Sequence, residues 1–294
     1  MTYSILARDP ATGELGVAVQ SHWFSVGPIV PWAQPGVGAV ATQANAEVSY
    51  GPRGLELMAS GLPAPDALAR LLSEDSAAAT RQVAMLDAHG RVAAHTGDEC
   101  IPIAGDTQSD EVSCQANIMV SDQVWPEMLE TFLWASGSLT SRLLAALDAA
   151  EAAGGDARGR QSSAILVVPG AGEPWETVVS LRVEDHPDPL VELRRLVALH
   201  DAYALASQGD EAVGDGRHDD AAKLFEQASA LAPDNHELMF WAGLGAAQGG
   251  DLDRGAAQVR AAIALQPGWR GVLERLTPAT APSAAAVRAA LEIE

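Results

Sequence analysis

Lysine is almost missing from this chain: among 294 residues, Lys223 stands alone. Chemistry that needs a lysine in the first two hundred residues is thereby excluded, including a Schiff base and a P-loop phosphate site. Cysteine is nearly as scarce. Cys100 and Cys114 are too few for a cysteine-based zinc site or a disulfide framework, which suits a reducing cytoplasm, the expected location. Basic residues are outnumbered, with 18 Lys and Arg against 39 Asp and Glu and a net charge of −21. Phosphate contacts need clustered cations, so no nucleic-acid partner is expected. No apolar run approaches the ~20 residues of a membrane span. The N-terminus shows no basic segment followed by an apolar one, so neither membrane insertion nor secretion is expected. The seven histidines form no pair at metal-ligand spacing, and no metal or cofactor is expected. A Gly-x-Ser-x-Gly elbow is absent. The run Gly36–Ala41 approaches a dinucleotide fingerprint, but it reads as a strand rather than a strand-to-helix turn.

What is present is a large apolar fraction, 48%, and a change of period along the chain. Thr2–Arg8 and Glu14–Ser21 read as a hairpin about Asp9-Pro10-Ala11-Thr12-Gly13. Val26–Trp32 and Gly36–Gln43 read as a second pair. Gly54–Ser60 and Pro65–Ser73 carry apolar residues at helical spacing. Arg81–Asp87 and Arg91–Thr96 form another hairpin, and Ser113–Val120 one more strand. Asp122–Ala135 and Leu139–Ala153 are helices, and Ser162–Val168 and Thr177–Val183 are the last strands. Segregated blocks of this kind predict an α+β layered fold, two antiparallel sheets between helix layers.

Two prolines in Glu184–Pro189 end this region, and a helix over 190–205 follows. Beyond it, Gly216, Ala222, Ala228 and Pro233 recur as Gly250, Ala256, Ala262 and Pro267, a period of 34 residues. Small residues where helices cross, and a proline after the second helix, resemble the tetratricopeptide repeat. Segments 271–276 and 284–291 are expected to complete the stack. The expected domains are therefore 1–189 and an all-α helical-repeat domain, 190–294. The repeat surface offers either a packing or dimerisation face or a groove for a protein partner, and a homo-oligomer is expected.

The start of the chain carries the sharpest functional signal. Thr2 is small enough for Met1 to be removed, which would leave a hydroxyl nucleophile and a free α-amine on one residue. The hairpin leading to residues 16–22, then Gly38–Asn45, looks like the opening of the N-terminal nucleophile (Ntn) hydrolases. More closely, residues 1–200 resemble a family known only as a domain of unknown function within that superfamily. The matching segments are Met-Thr-Tyr-Ser-Ile at 1–5, Gly-Val-Gly-Ala-Val-Ala-Thr-Gln at 36–43, Tyr50–Leu55, 159–162 and Arg182–His186.

The resemblance implies a four-layer αββα Ntn-hydrolase-like sandwich and amide hydrolysis of a small amide or peptide-like substrate. Thr2 would attack, and its α-amine, with an ordinary pKa of ~8, would take the proton. The backbone around Thr42 and Gln43, and the side chain of Asn117, are candidates for the oxyanion. His22 and Arg160 are candidates to tune the nucleophile, since the lysine used by the proteasome-like branch is missing and Gln20 stands where its acid would be; Ser21 is a further catalytic candidate. Gln20, Thr42, Asn45 and Gln161 are candidates to touch substrate. Plainer readings stand beside these. Thr2 also fits an ordinary edge-strand residue, Gln43, Asn45 and Asn117 fit buried amides closing strand ends, and Gln161 fits strand-start polarity. The alternative function is a non-catalytic Ntn-fold binding module whose repeats dock a partner.

Overall fold

The computed structural model describes residues 2–293. The chain divides into two compact units, 1–194 and 195–294. The first opens with β1, Thr2–Arg8, and β2, Leu15–Ser21, in an antiparallel hairpin that sets Tyr3 opposite Gln20 and Arg8 opposite Leu15. The carboxylate of Asp9 accepts the Ala11 N–H (2.8 Å) and closes the turn.

The second pair is shorter than its sequence predicts. β3 is Pro31–Gln34, paired with β4, Gly38–Ala44. Residues 26–30 instead form a turn, with the Ile29 and Val30 N–H groups donating to the Val26 carbonyl. Pro28 has no N–H to give a ladder, so Val26–Trp32 is not one strand. Helices α1, Tyr50–Ala59, and α2, Ala64–Glu74, follow. β5, Arg81–Asp87, and β6, Val92–Thr96, make the next hairpin.

β7, Gly105–Ser109, is a strand that the sequence hides. It has no apolar alternation to read, because it lies at a sheet edge and pairs on one side only, with β8, Val112–Asn117. Helices α3, Val124–Trp134, and α4, Leu139–Ala152, precede β9, Ser162–Val168, and β10, Val179–Val183.

Among the described residues the strands form a six-stranded sheet, β10-β9-β2-β1-β8-β7, and a four-stranded sheet, β3-β4-β5-β6. α3 and α4 cover the first; α1 and α2 cover the second. The two uncovered faces meet over Leu6, Val17, Val19, Ala39, Ala41 and Leu86, all fully buried. Thr2 therefore lies in a central strand rather than at an edge.

Asp87 ties the β5–β6 turn to α2 by accepting the N–H groups of Ala64 (3.0 Å), His89 (2.9 Å) and Arg91 (3.2 Å) and the Arg91 guanidinium (2.7 Å). Burial opposes its charge, but these donors outweigh that and hold its pKa below the ordinary carboxylate value. A depressed folded pKa stabilises above the unfolded value of about 3.9 and is lost as pH falls through the folded one. Asp87→Asn should thus destabilise the protein at pH 7, with the difference from wild type shrinking by pH 3. Denaturant titrations at the two pH values measure this.

The second unit is helical. α5, Pro189–Gly214, begins in the first unit and ends in the second. The expected boundary at 189/190 marks the start of this helix, whereas the compact units divide within it. It also runs past residue 205, where the sequence predicts its end. Gly209 does not break it, because its bare Cα admits the Phe225 ring, which a Cβ there would meet at 2.8 Å. α6, His218–Leu231, α7, His236–Gln248, and α8, Leu252–Leu265, follow. Pro233 and Pro267 lie after α6 and α8, as the 34-residue period requires.

α9, Gly268–Arg275, and α10, Ala284–Ala290, close the stack. Leu244, Val259, Ala262, Leu273 and Val287 are buried together between them. α7 and α8 cross at Gly243 and Gly255, where a Cβ on Gly255 would sit 2.5 Å from the Gly243 carbonyl oxygen. Backbone cannot retreat as a flexible side chain can. Gly255→Ala is therefore expected to cost about 2 kcal/mol, measured as a lower denaturation midpoint of the helical unit.

Candidate functional site

The layer between the sheets is apolar over most of its length and becomes polar at one end. Antiparallel topology makes this happen. The start of β1, the end of β2, the end of β4, the start of β5 and the end of β8 all arrive at that end. Strand alternation then sends Thr2, Ser4, Ser21, Gln43, Gln82, Gln115 and Asn117 inward. All are buried, Thr2 at 5% exposure and the others at 1% or less.

The Thr2 and Ser21 hydroxyl oxygens lie 3.0 Å apart. Gln43 Nε2 donates to the Thr2 carbonyl (3.3 Å), the Gln115 carbonyl (3.2 Å) and Gln82 Oε1 (2.7 Å). Asn117 Nδ2 donates to the same Gln82 oxygen (2.9 Å) and to the Thr2 carbonyl (3.4 Å). Gln82 Nε2 in turn donates to Thr96 Oγ1 (2.9 Å) and the Ala116 carbonyl (2.9 Å). Ser4 donates to Gln43 Oε1 and accepts from Gln115 Nε2, both at 2.6 Å. These amides close the strand ends and hold the main chain of Thr2. One acceptor is left over: Asn117 Oδ1 is buried without a hydrogen-bond partner, and Asn117 is the residue paired with Thr2 across the ladder.

Immediately beyond this network the backbone bends sharply. Ala44, next after Gln43, has φ +68°, and Ile118, next after Asn117, has φ +56°. Left-handed φ at an ordinary side chain costs on the order of 1 kcal/mol, and such residues gather at functional sites. The bend after Ala44 swings the chain outward, and Asn45, Ala46 and Val48 form one wall of a cleft of about 400 Å³ that reaches Thr2. The opposite wall is Trp23, Val26, Ile29 and Val30. Ser162 pins that wall by donating to the Trp23 carbonyl and accepting the Val26 N–H (3.1 Å).

The other expected site residues fall elsewhere. Asn45 is at the rim of the cleft, its amide donating to Thr80 Oγ1 (3.1 Å). Thr42 has the parity of Val40 and faces α1, donating to the Glu47 carbonyl (3.1 Å). Gln20 lies on the face of β2 that packs on α4. Its amide is best oriented with nitrogen toward Glu151 (2.6 Å) and oxygen accepting the Ser21 N–H (3.0 Å). Tyr3 shares that face and donates to Glu151 (2.8 Å). Burial, then the Glu151 charge, pushes the Tyr3 phenol well above its ordinary pKa.

Arg160 bonds Glu151 (2.6 Å) and Asp188 (3.1 Å) at the outer end of the same group. His22 donates its main-chain N–H to Asp156 (3.0 Å), and its ring nitrogen lies 3.2 Å from the Arg160 carbonyl. Gln161 is half-buried and donates to Asp185 (3.1 Å). The structure thus gathers Thr2, Ser21, Gln43 and Asn117, keeps Asn45 at the rim, and does not bring Gln20, His22, Thr42, Arg160 or Gln161 to the lining of the cleft.

Sequence reasoning missed Ser4, Gln82 and Gln115. The signal for Gln115 was present as polar residues at alternate positions in one strand, Ser113, Gln115 and Asn117 alternating with Cys114 and Ala116. Gln82, near the start of its strand, carried no such pattern.

Comparison with known proteins agrees with this architecture. Residues 2–193 match the model of a family of unknown function, DUF1028, and residues 207–268 match the tetratricopeptide repeat. The crystal structure of protein SPO2555 from Silicibacter pomeroyi, described as a DUF1028 protein, is 35% identical and superposes with a TM-score of 0.62. The match covers 67% of this chain and 84% of that one. No curated protein matches. Among the described residues no helix is long and apolar enough to cross a membrane. The chain belongs to DUF1028, a family of unknown function, and carries tetratricopeptide repeat sequence after the family's domain.

Proposed function

We propose that the protein is an amide hydrolase of the Ntn type, with Thr2 as nucleophile once Met1 has been removed, acting on a small amide or peptide-like substrate. The observation that carries this reading is the position of Thr2. Its hydroxyl stands at the start of a central strand, 3.0 Å from Ser21 Oγ, and it lines a cleft of about 400 Å³. The order of layers, two helices, sheet, sheet, two helices, supports the αββα Ntn assignment.

In this reading the α-amine of Thr2 takes the hydroxyl proton as Oγ1 attacks the amide carbonyl. The proton passes to the departing amine, an ester forms on Thr2, and water hydrolyses it. Gln43 and Asn117 Nδ2 serve this mechanism by fixing the Thr2 main chain, because their donors are spent there and on Gln82. The Ser21 hydroxyl, 3.0 Å from Thr2 Oγ1, is the side-chain donor beside the nucleophile for the oxyanion. The helical unit adds docking of a protein partner, a role tetratricopeptide repeats often serve.

Met1 lies outside the described residues, and its fate is the test. Intact mass of the purified protein should show the species beginning at Thr2, and that species should hydrolyse members of an amide panel. Full retention of Met1 would remove the base and leave the non-catalytic binding module as the reading.

A further inference from the structure

The cleft at Thr2 has no ionisable side chain in its lining, although the chain carries a net charge of −21. Its walls are Trp23, Val26, Ile29, Val30, Ala46 and Val48. Three neutral polar residues share the lining: Thr2, Gln43 and Asn45. The Gln43 amide is spent on Gln82, Gln115, Ser4 and the Thr2 carbonyl, and the Asn45 amide donates to Thr80. With the Thr2 α-amine neutral, as its role as base requires, a charged group entering here would lose its water and meet no counter-charge from the lining side chains. An apolar group would gain by burial against the same walls. Trp23 and Val48 stay 57% and 40% exposed at the rim, which is apolar surface that a ligand in the cleft would cover.

We infer that this cleft is an acyl subsite, and that the protein selects amides whose acyl part is an uncharged alkyl or aryl group and rejects anionic acyl groups. The inference rests on Thr2 as the nucleophile. The excess of acidic residues adds to the discrimination, because the protein's field disfavours the approach of anions.

A pair of β-lactones tests it without knowledge of the natural substrate. One carries a hexyl side chain; the other carries the same chain ending in a carboxylate. Thr2 Oγ1 attacks the lactone carbonyl and the ring C–O bond breaks. The hydroxyl proton travels through the α-amine to the released alkoxide, so the protein gains the whole probe mass. The hexyl probe should label at least about a hundredfold faster than the carboxylate probe. Val48→Arg, a change at an exposed rim position, should shrink that ratio by at least about tenfold by giving the carboxylate a partner. Equal rates in wild type, or an unchanged ratio in the variant, would overturn the inference and leave the nucleophile standing. No label from either probe on protein lacking Met1 would overturn the nucleophile itself, and the subsite with it.

Discussion

Thr2→Ala is expected to reduce amide turnover by on the order of 10^4-fold, the scale on which removing a covalent nucleophile acts. The substitution keeps a small second residue, so Met1 should still leave and the α-amine should still be present. Only the hydroxyl is lost. Its single described side-chain partner is Ser21 Oγ at 3.0 Å, and losing one hydrogen bond costs about 1 kcal/mol. Activity should therefore collapse while the melting temperature moves by only about 2–4 °C. Thr2→Ser keeps both a hydroxyl and an α-amine and should keep turnover. Initial rates on one cleaved amide, with thermal melts of the three proteins, decide the matter. A Thr2→Ala protein with wild-type rates would end the proposed role.

Gln82→Ala is expected to be the most destabilising single change at the site, by about 3–5 kcal/mol. Gln82 is fully buried between the sheets and joins both. Its oxygen accepts from Gln43 at 2.7 Å and Asn117 at 2.9 Å; its nitrogen serves Thr96 and the Ala116 carbonyl, each at 2.9 Å. Alanine would leave those groups unpaired in a layer that water does not reach, in addition to opening a cavity. Gln82→Met separates the two costs, since it refills the volume but not the bonds. Recovery of less than half of the lost stability is expected, because unpaired buried polar groups carry most of the cost. Denaturant midpoints of wild type and both variants measure this. Full recovery by methionine would mean that packing, not the amide network, holds this end of the layer together.

How much of this was legible beforehand varied with the residue. Thr2 could be singled out by its position behind Met1 and its hydroxyl. Gln43 and Asn117 could be suspected from polarity at strand ends. The strands Thr2–Arg8, Arg81–Asp87 and Ser162–Val168 were readable to the residue, because buried central strands carry dense apolar patterns. β7 was not, because this edge strand pairs on one side only and carries no fully buried apolar residue to give a pattern. Gln20 and Thr42 were misplaced for a geometric reason. Each is adjacent to a residue that faces the inner layer, and a shift of one residue along a strand reverses the face. Gln20 therefore meets Glu151, and Thr42 meets the Glu47 carbonyl.

The sequence by itself determined the class of the fold, the division into a mixed α+β unit and a helical repeat unit, and the absence of lysine chemistry from the first two hundred residues. These follow from local periodicity and composition, which do not depend on what a segment packs against. Only the tertiary structure decided that five strand ends from distant parts of the chain converge on Thr2, that Gln82 joins them, and that no ionisable side chain lines the cleft beside Thr2. Those facts depend on pairing register and on which face each strand turns inward, and both are set by contacts between residues far apart in the chain.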